Sequence, residues 1–198
     1  CIEEVNACAW SNIAACADDV MAYQLYWAPT LGDTLRPVEV FTDPEQLSYT
    51  WNALGERGTI AGSFAVTALD CLQPGPNGEL RRNESALSDT ICADNCPFYF
   101  LPNVFTPNLD HTNDEFRAFP WKFIDSVDVR VYNRLGEEVF QTTNPDIEWN
   151  GEHRDGGMCA DGVYYYTARV WTIRLAGLVE ERFSGELHLM GGVAPLSE

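Results

Sequence analysis

Basic residues are scarce in this sequence: 12 lysines and arginines stand against 30 aspartates and glutamates among 198 residues, a formal charge of -18. That balance excludes nucleic acid and anionic membrane as natural partners, since both are held through a positive footprint. Cations and basic protein surfaces fit it, as does plain solubility of an extracellular chain. Histidine is nearly absent. The three present, His111, His153 and His188, are scattered. None lies in a nucleophile motif, and no acid pair is marked out as a glycosidase pair would be, so an enzymatic reading has no carrier. Long apolar runs are missing too, and with them any transmembrane helix or secretory signal peptide. Helical periodicity is all but absent, which leaves an all-β chain.

What is present suits a packed extracellular protein. Apolar residues make up 45% and aromatics 12% of the chain, enough for a core. The seven cysteines include one close pair, Cys92 and Cys96, with no second Cys or His pair to complete a zinc site. Disulfides in an oxidising compartment explain the count, and the odd number leaves at least one thiol free or paired outside the chain. The spacing predicts a Cys92–Cys96 clip and a second bridge between Cys1 and Cys16, which bracket the first strand. Cys8 reads as a buried thiol or a partner of Cys71. Cys1 itself reads either as a lipidated first residue or as the start of a segment of a longer polypeptide.

Short β-branched or aromatic runs split by Gly, Pro, Asn and Asp are the pattern of a β-sandwich. Strands are expected over 5–10, 20–27, 38–41, 47–51, 63–69 and 83–92, with 73–83 an inserted loop. A Cys-flanked turn ending in Pro97 marks a junction, after which strands are expected at 101–105, 126–132, 138–141, 163–172, 178–183 and 187–190. Two immunoglobulin-like β-sandwich domains in tandem follow, 1–95 and 96–198.

In the first half, Trp10, the Tyr23 to Tyr26 strand and Gly62-Ser63-Phe64-Ala65-Val66-Thr67-Ala68 resemble a fibronectin type III module lacking its first strand. In the second, Leu101-Pro102-Asn103-Val104-Phe105-Thr106-Pro107-Asn108 opens an ordered series. It continues through Val131-Tyr132-Asn133-Arg134-Leu135-Gly136, Val139-Phe140, Trp149-Asn150-Gly151 and Asp161-Gly162-Val163-Tyr164-Tyr165-Tyr166. Ser184-Gly185-Glu186-Leu187-His188-Leu189 closes it. This series resembles the gliding-motility-associated C-terminal domain of Bacteroidota, the type B sorting signal of the type IX secretion system. The resemblance implies a sorting and surface-attachment module of a larger protein. Its partners would be the type IX translocon and associated outer-membrane proteins, and its cargo, exported through the periplasm, would be secreted or left on the cell surface.

Departures from the family are local. Asn108-Leu109-Asp110-His111 stands where the family has Asn-Gly-Asp-Gly, Leu135 where it commonly has Trp, and Ala168 where close relatives often have Cys, which implies a free Cys159. Asn108, Asp110, Asn113 and Asp114 have the oxygen-rich spacing of a calcium loop; a turn in which the same side chains cap backbone amides has the same signature. Calcium is the one cofactor the sequence suggests. Tyr132, Trp149, Tyr164 and Tyr166 read as sandwich core or, alternatively, as a ligand platform. Gly136, Gly151 and Gly162 read as turn residues. An adhesive or carbohydrate-binding tail, using that platform and calcium loop, is the alternative to sorting.

Overall fold

A computed structural model of the chain describes residues 4–9, 20–52, 58–71, 73–74, 77 and 79–191. No helix occurs among the described residues, and the chain divides into two compact units. The first comprises Cys1–Cys96 with Arg174–Gly177, the second Pro97–Ile173 with Leu178–Glu198.

The first unit is built from β1 (Glu4–Ala9), β2 (Ala22–Ala28), β3 (Arg36–Phe41), β4 (Ser48–Asn52), β5 (Gly62–Leu69), β6 (Gln73–Pro74), β7 (Leu80–Arg81) and β8 (Ile91–Ala93). A four-stranded sheet in the order β3-β2-β5-β8 faces a β1–β4 pair. Trp51 of β4 closes the space between them, 5.3 Å from Trp27 of β2 and 5.2 Å from Phe64 of β5. β5 is buried along both faces from Gly62 to Ala68, as a central strand of a sandwich must be. At Gly62 the backbone runs so close to the Trp27 indole that a Cβ would collide with it.

Two features of this unit depart from expectation. The segment read as a loop at 73–83 carries the short β6–β7 ladder. The segment read as one edge strand at 83–92 is a strand only at β8, but it runs beside β5 throughout. Ser85 and Ser88 N–H groups donate to Ala68 and Val66 carbonyls, and the serine hydroxyls accept the Ala68 and Val66 N–H groups in return. Side chains thus replace strand carbonyls along this edge. Beyond β8, buried Asn95 accepts the Ile60 and Ala61 N–H groups on its Oδ1 and donates to Thr59 Oγ1. The neighbouring Asp94 carboxylate accepts from the Arg174 guanidinium and the Leu175 N–H.

The second unit contains β9 (Phe98–Tyr99), β10 (Val104–Phe105), β11 (Trp121–Lys122), β12 (Ile124–Tyr132), β13 (Glu138–Thr142), β14 (Gly162–Arg174) and β15 (Gly177–Leu189). Its five-stranded sheet has the order β10-β15-β14-β12-β13, with β10 parallel to β15. Period-2 patterning sets the faces. Val127, Val129 and Val131 of β12, Tyr164, Ala168 and Val170 of β14, and Leu187 and Leu189 of β15 are all buried. The opposing layer is less regular. It consists of the β9–β11 ladder and the Phe116–Trp149 bridge, which place Phe116, Ala118, Ile147 and Trp149 in the same core. The two strands expected at 178–183 and 187–190 are one continuous β15.

Candidate functional site

The residues of the ordered motif series lie inside the second unit and at its turns. Trp149 is 1% exposed. Its ring stacks on Phe140 at 5.5 Å and meets Phe105 and Tyr164 at 5.2 and 5.8 Å. Its indole N–H donates to the Glu152 carbonyl. Tyr164 is buried with its hydroxyl on the Ala160 carbonyl, and burial, reinforced by the Cys159 thiol, pushes its pKa up to about 12. Tyr166 is half-buried against Phe116, and Tyr132 is half-buried at the end of β12. These aromatics therefore fill the core and its margin. They do not form an open ligand platform.

The remaining motif residues hold strands and turns in place. The Asn103 carbonyl accepts the His188 N–H, which fixes β10 beside β15, with Pro102 before it and buried Pro107 after it. Asn133 Oδ1 accepts the Leu135 and Glu137 N–H groups, closing the Asn133-Arg134-Leu135-Gly136 turn between β12 and β13. Gly151 is buried in the left-handed region at φ 87°, and a Cβ there would lie 3.1 Å from Leu189. Gly162 opens β14. Gly185, within β15, lies under the Tyr166 ring: a Cβ would sit 2.7 Å from its Oη and 2.9 Å from its Cζ.

The 108–114 loop is closed by its own side chains. Asp114 accepts the Leu109 and His111 N–H groups, one on each carboxylate oxygen, both at 2.7 Å. Asp110 Oδ1 accepts the Thr112 N–H, and Asn108 donates from Nδ2 to Asp110 Oδ2 while its Oδ1 accepts the Asp110 backbone N–H. The Asn113 carbonyl accepts the Thr106 N–H. Leu109, His111 and Asn113 adopt φ of 65°, 67° and 55°. Leu109 and His111 thus take up the left-handed backbone that favours glycine. No group of three or more His, Cys, Asp or Glu residues is placed to hold a metal among the described residues. As it stands, the loop is an Asx-capped turn.

The cysteine pairing requires correction. Cys92 is an exposed free thiol, its Sγ 3.6 Å from Ser63 Oγ, while Cys96 is disulfide-bonded, and not to Cys92. The reason is the path of the chain. Cys92 is locked to Ser63 in the β5–β8 ladder and Asn95 is anchored on the far side of Ala93. Four extended residues span about 13 Å, roughly twice the Cα separation that a disulfide bridges. The expected Cys1–Cys16 pair lies outside the described residues. Cys159 is a half-buried free thiol, and burial pushes its pKa up against the opposing effect of the Tyr164 hydroxyl.

Two concavities open on the surface of the second unit. One, of about 710 Å³, lies between the Asn133–Gly136 turn and the loop carrying His153, Met158 and Cys159. The other, of about 900 Å³, runs between residues 100–104 and 115–119. Phe119 and Phe100 on its walls are 75% and 59% exposed. Sequence reasoning missed both phenylalanines; their signal was two aromatics beside loop prolines, outside any alternating run.

Residues 99–185 match the family model of the CHU_C type IX secretion signal domain. The matched segment runs from β9 into β15 and lies within the second unit apart from the Arg174–Gly177 turn. No curated protein matches the chain. Among solved structures, the chain is similar to dimeric latent PorU from Porphyromonas gingivalis, with 15% identity and a TM-score of 0.29 over 94% of this chain and 18% of that one. It is also similar to the FN1-FN3 domains of chicken CNTN1, with 13% identity and a TM-score of 0.22 over 84% of this chain and 56% of the other. The chain thus spans under a fifth of the PorU chain and just over half of the CNTN1 fragment.

Proposed function

We propose that the second unit is the sorting and attachment module of a larger secreted protein, presented by the first unit as a fibronectin-like spacer. On this reading the type IX translocon and its outer-membrane partners recognise the folded domain, and the cargo passes through the periplasm to the cell surface or medium. The observation that carries it is the agreement between the signal-domain match over 99–185 and the unit whose core and turns the same motifs build. A folded object is what the motif residues specify, because Trp149, Gly151, Tyr164 and Gly185 are internal or tightly packed.

The test is to fuse the whole chain to a fluorescent reporter carrying a signal peptide and express it in a type IX-competent host. Reporter outside the cell is the expected outcome. Reporter held in the periplasm while the same cells export other cargo would refute the sorting role. In the adhesive reading the ligand would meet aromatics of the motif series, and the burial of Trp149 and Tyr164 leaves that platform closed.

A further inference from the structure

We propose that the groove between residues 100–104 and 115–119 is a docking site for an extended, basic segment of a partner protein that carries apolar side chains at alternate positions. The inference rests on the sorting reading above and names the surface through which that recognition acts. Both walls alternate. Phe100, Pro102 and Val104 line one, and Glu115, Arg117 and Phe119 the other, while Phe116 and Ala118 between the latter are fully buried. Backbone hydrogen bonds from Phe119 N–H to the Phe100 carbonyl and from Phe100 N–H to the Pro120 carbonyl join the walls at one end. An extended chain repeats its side chains on one face every two residues, about 6.6 Å, and both walls offer alternate residues to the groove.

Exposure and charge select the occupant. Large aromatics as open as Phe119 and Phe100 mark interaction surfaces when they share one concavity, and buried aromatic anchors carry most of the energy of an interface. The groove is otherwise acidic. Asp114, Glu115 and Asp146 line it, and Arg117 on its wall is engaged by Glu148 at 3.0 Å. A basic segment is the complement. Sugar recognition fits less well, because both Asp114 oxygens already accept backbone N–H groups and Asp146 accepts the Trp121 indole N–H. β10, which carries Val104, lies at the open edge of the five-stranded sheet, where an added extended segment is geometrically natural.

The test uses the full chain and two fluorescein-labelled octapeptides, one alternating Leu with Lys and the other Leu with Glu. The Lys peptide is expected to bind and the Glu peptide to bind at least about tenfold more weakly, and Phe119→Ser should weaken the Lys peptide about tenfold, the cost of losing one aromatic anchor. Leu135→Ser, on the distant β12–β13 turn, should change nothing. Equal binding of both peptides, binding of neither, or indifference to Phe119→Ser would each overturn the proposal. In the export assay, Phe100→Ser with Phe119→Ser should hold back a reporter that the unaltered chain exports, with Tm unchanged. Normal export of that double variant overturns the groove and leaves sorting intact. Failure of the unaltered chain to be exported removes the sorting reading instead, and the peptide measurements then decide the groove alone.

Discussion

Gly185→Ala probes the packing of the second unit at its tightest glycine. The new Cβ would lie 2.7, 2.9 and 3.0 Å from Oη, Cζ and Cε1 of Tyr166. The ring is rigid and half-buried, 5.7 Å from Phe116, so Tyr166 must swing off that contact. Overpacking of this kind costs about 1–3 kcal/mol. In a unit of this size Tm falls by roughly 4–8 °C for each kcal/mol. In a Tyr166→Ala background the same change has nothing to strike, and alanine exceeds glycine within a strand by about 0.5–1 kcal/mol. Its sign should therefore reverse, from destabilising alone to stabilising in the double variant. Calorimetry on the four proteins of the cycle measures the coupling directly. Equal cost in both backgrounds would show that Tyr166 does not occupy the space above Gly185, and the reason given for a glycine inside β15 would fall.

The remaining expectations are compact. Trp149→Ala removes a fully buried ring and orphans the Glu152 carbonyl, which should cost about 3–5 kcal/mol and abolish export of the reporter, whereas Glu137→Gln, at an exposed turn, should leave both export and Tm unaltered. Under non-reducing conditions Cys92 should label with a thiol reagent well before Cys159, whose pKa is raised, and Cys96 should not label at all; peptide mapping by mass spectrometry reads the order. Hydrogen bonds donated by the Thr67 and Tyr26 hydroxyls hold Glu84 low, the Arg130 guanidinium holds Asp128 low, and Asp94 is held low by Arg174 and Leu175 against the opposing pull of burial. Each contributes stability that is present above the unfolded carboxylate pKa of about 4 and lost as pH falls through its lower folded value, so a pH series of melts should show Tm falling below about pH 4, and a flat Tm there would refute the assignment. Leu109→Gly should raise stability by about 1 kcal/mol by relieving a left-handed residue, and calcium or a chelator should leave Tm unchanged; a calcium-dependent rise would mean that the 108–114 carboxylates release their amides for a metal.

Most strands were legible because alternation survives in the sequence wherever one face is buried, as in Val127, Val129 and Val131. The reading failed where a local signal meant something other than its usual sense. Ser184-Gly185 reads as a strand break, yet β15 passes through it because the glycine makes room for a ring on the neighbouring strand. Cys92 and Cys96 are close in sequence and held apart by an extended backbone. Asn95 belongs to a type usually found in turns, but here it is a buried bridge to residues 59–61, a partner 35 positions away that no local pattern reports. The β9–β11 ladder joins two-residue strands 22 positions apart and was likewise invisible. For the candidate site, the motif residues lie in the core and turns of the second unit, while the exposed Phe100 and Phe119 beside them followed no pattern the sequence offered.

That last failure follows from what an ordered motif series records in a domain of this kind. Recurrent residues at fixed spacing are those the backbone demands: a ring that fills the core, a glycine under another ring, an asparagine that closes a hairpin. Trp149, Gly185 and Asn133 meet those demands, and none of them presents a large surface to a partner. A folded unit that also docks a partner would be written twice, once in residues that make the fold and once in residues the fold exposes. The 108–114 loop joins the two. Each left-handed non-glycine residue costs about 1–2 kcal/mol, and a hydrogen bond to a charged acceptor returns about 1.5–3 kcal/mol. The two Asp114 hydrogen bonds thus offset the strain at Leu109 and His111 and hold the loop in one conformation. His111, Asn113 and Asp114 of that loop also line the groove that carries Phe100 and Phe119. The strain therefore falls on a wall of that groove, where a glycine loop would close the same turn at lower cost but with less rigidity.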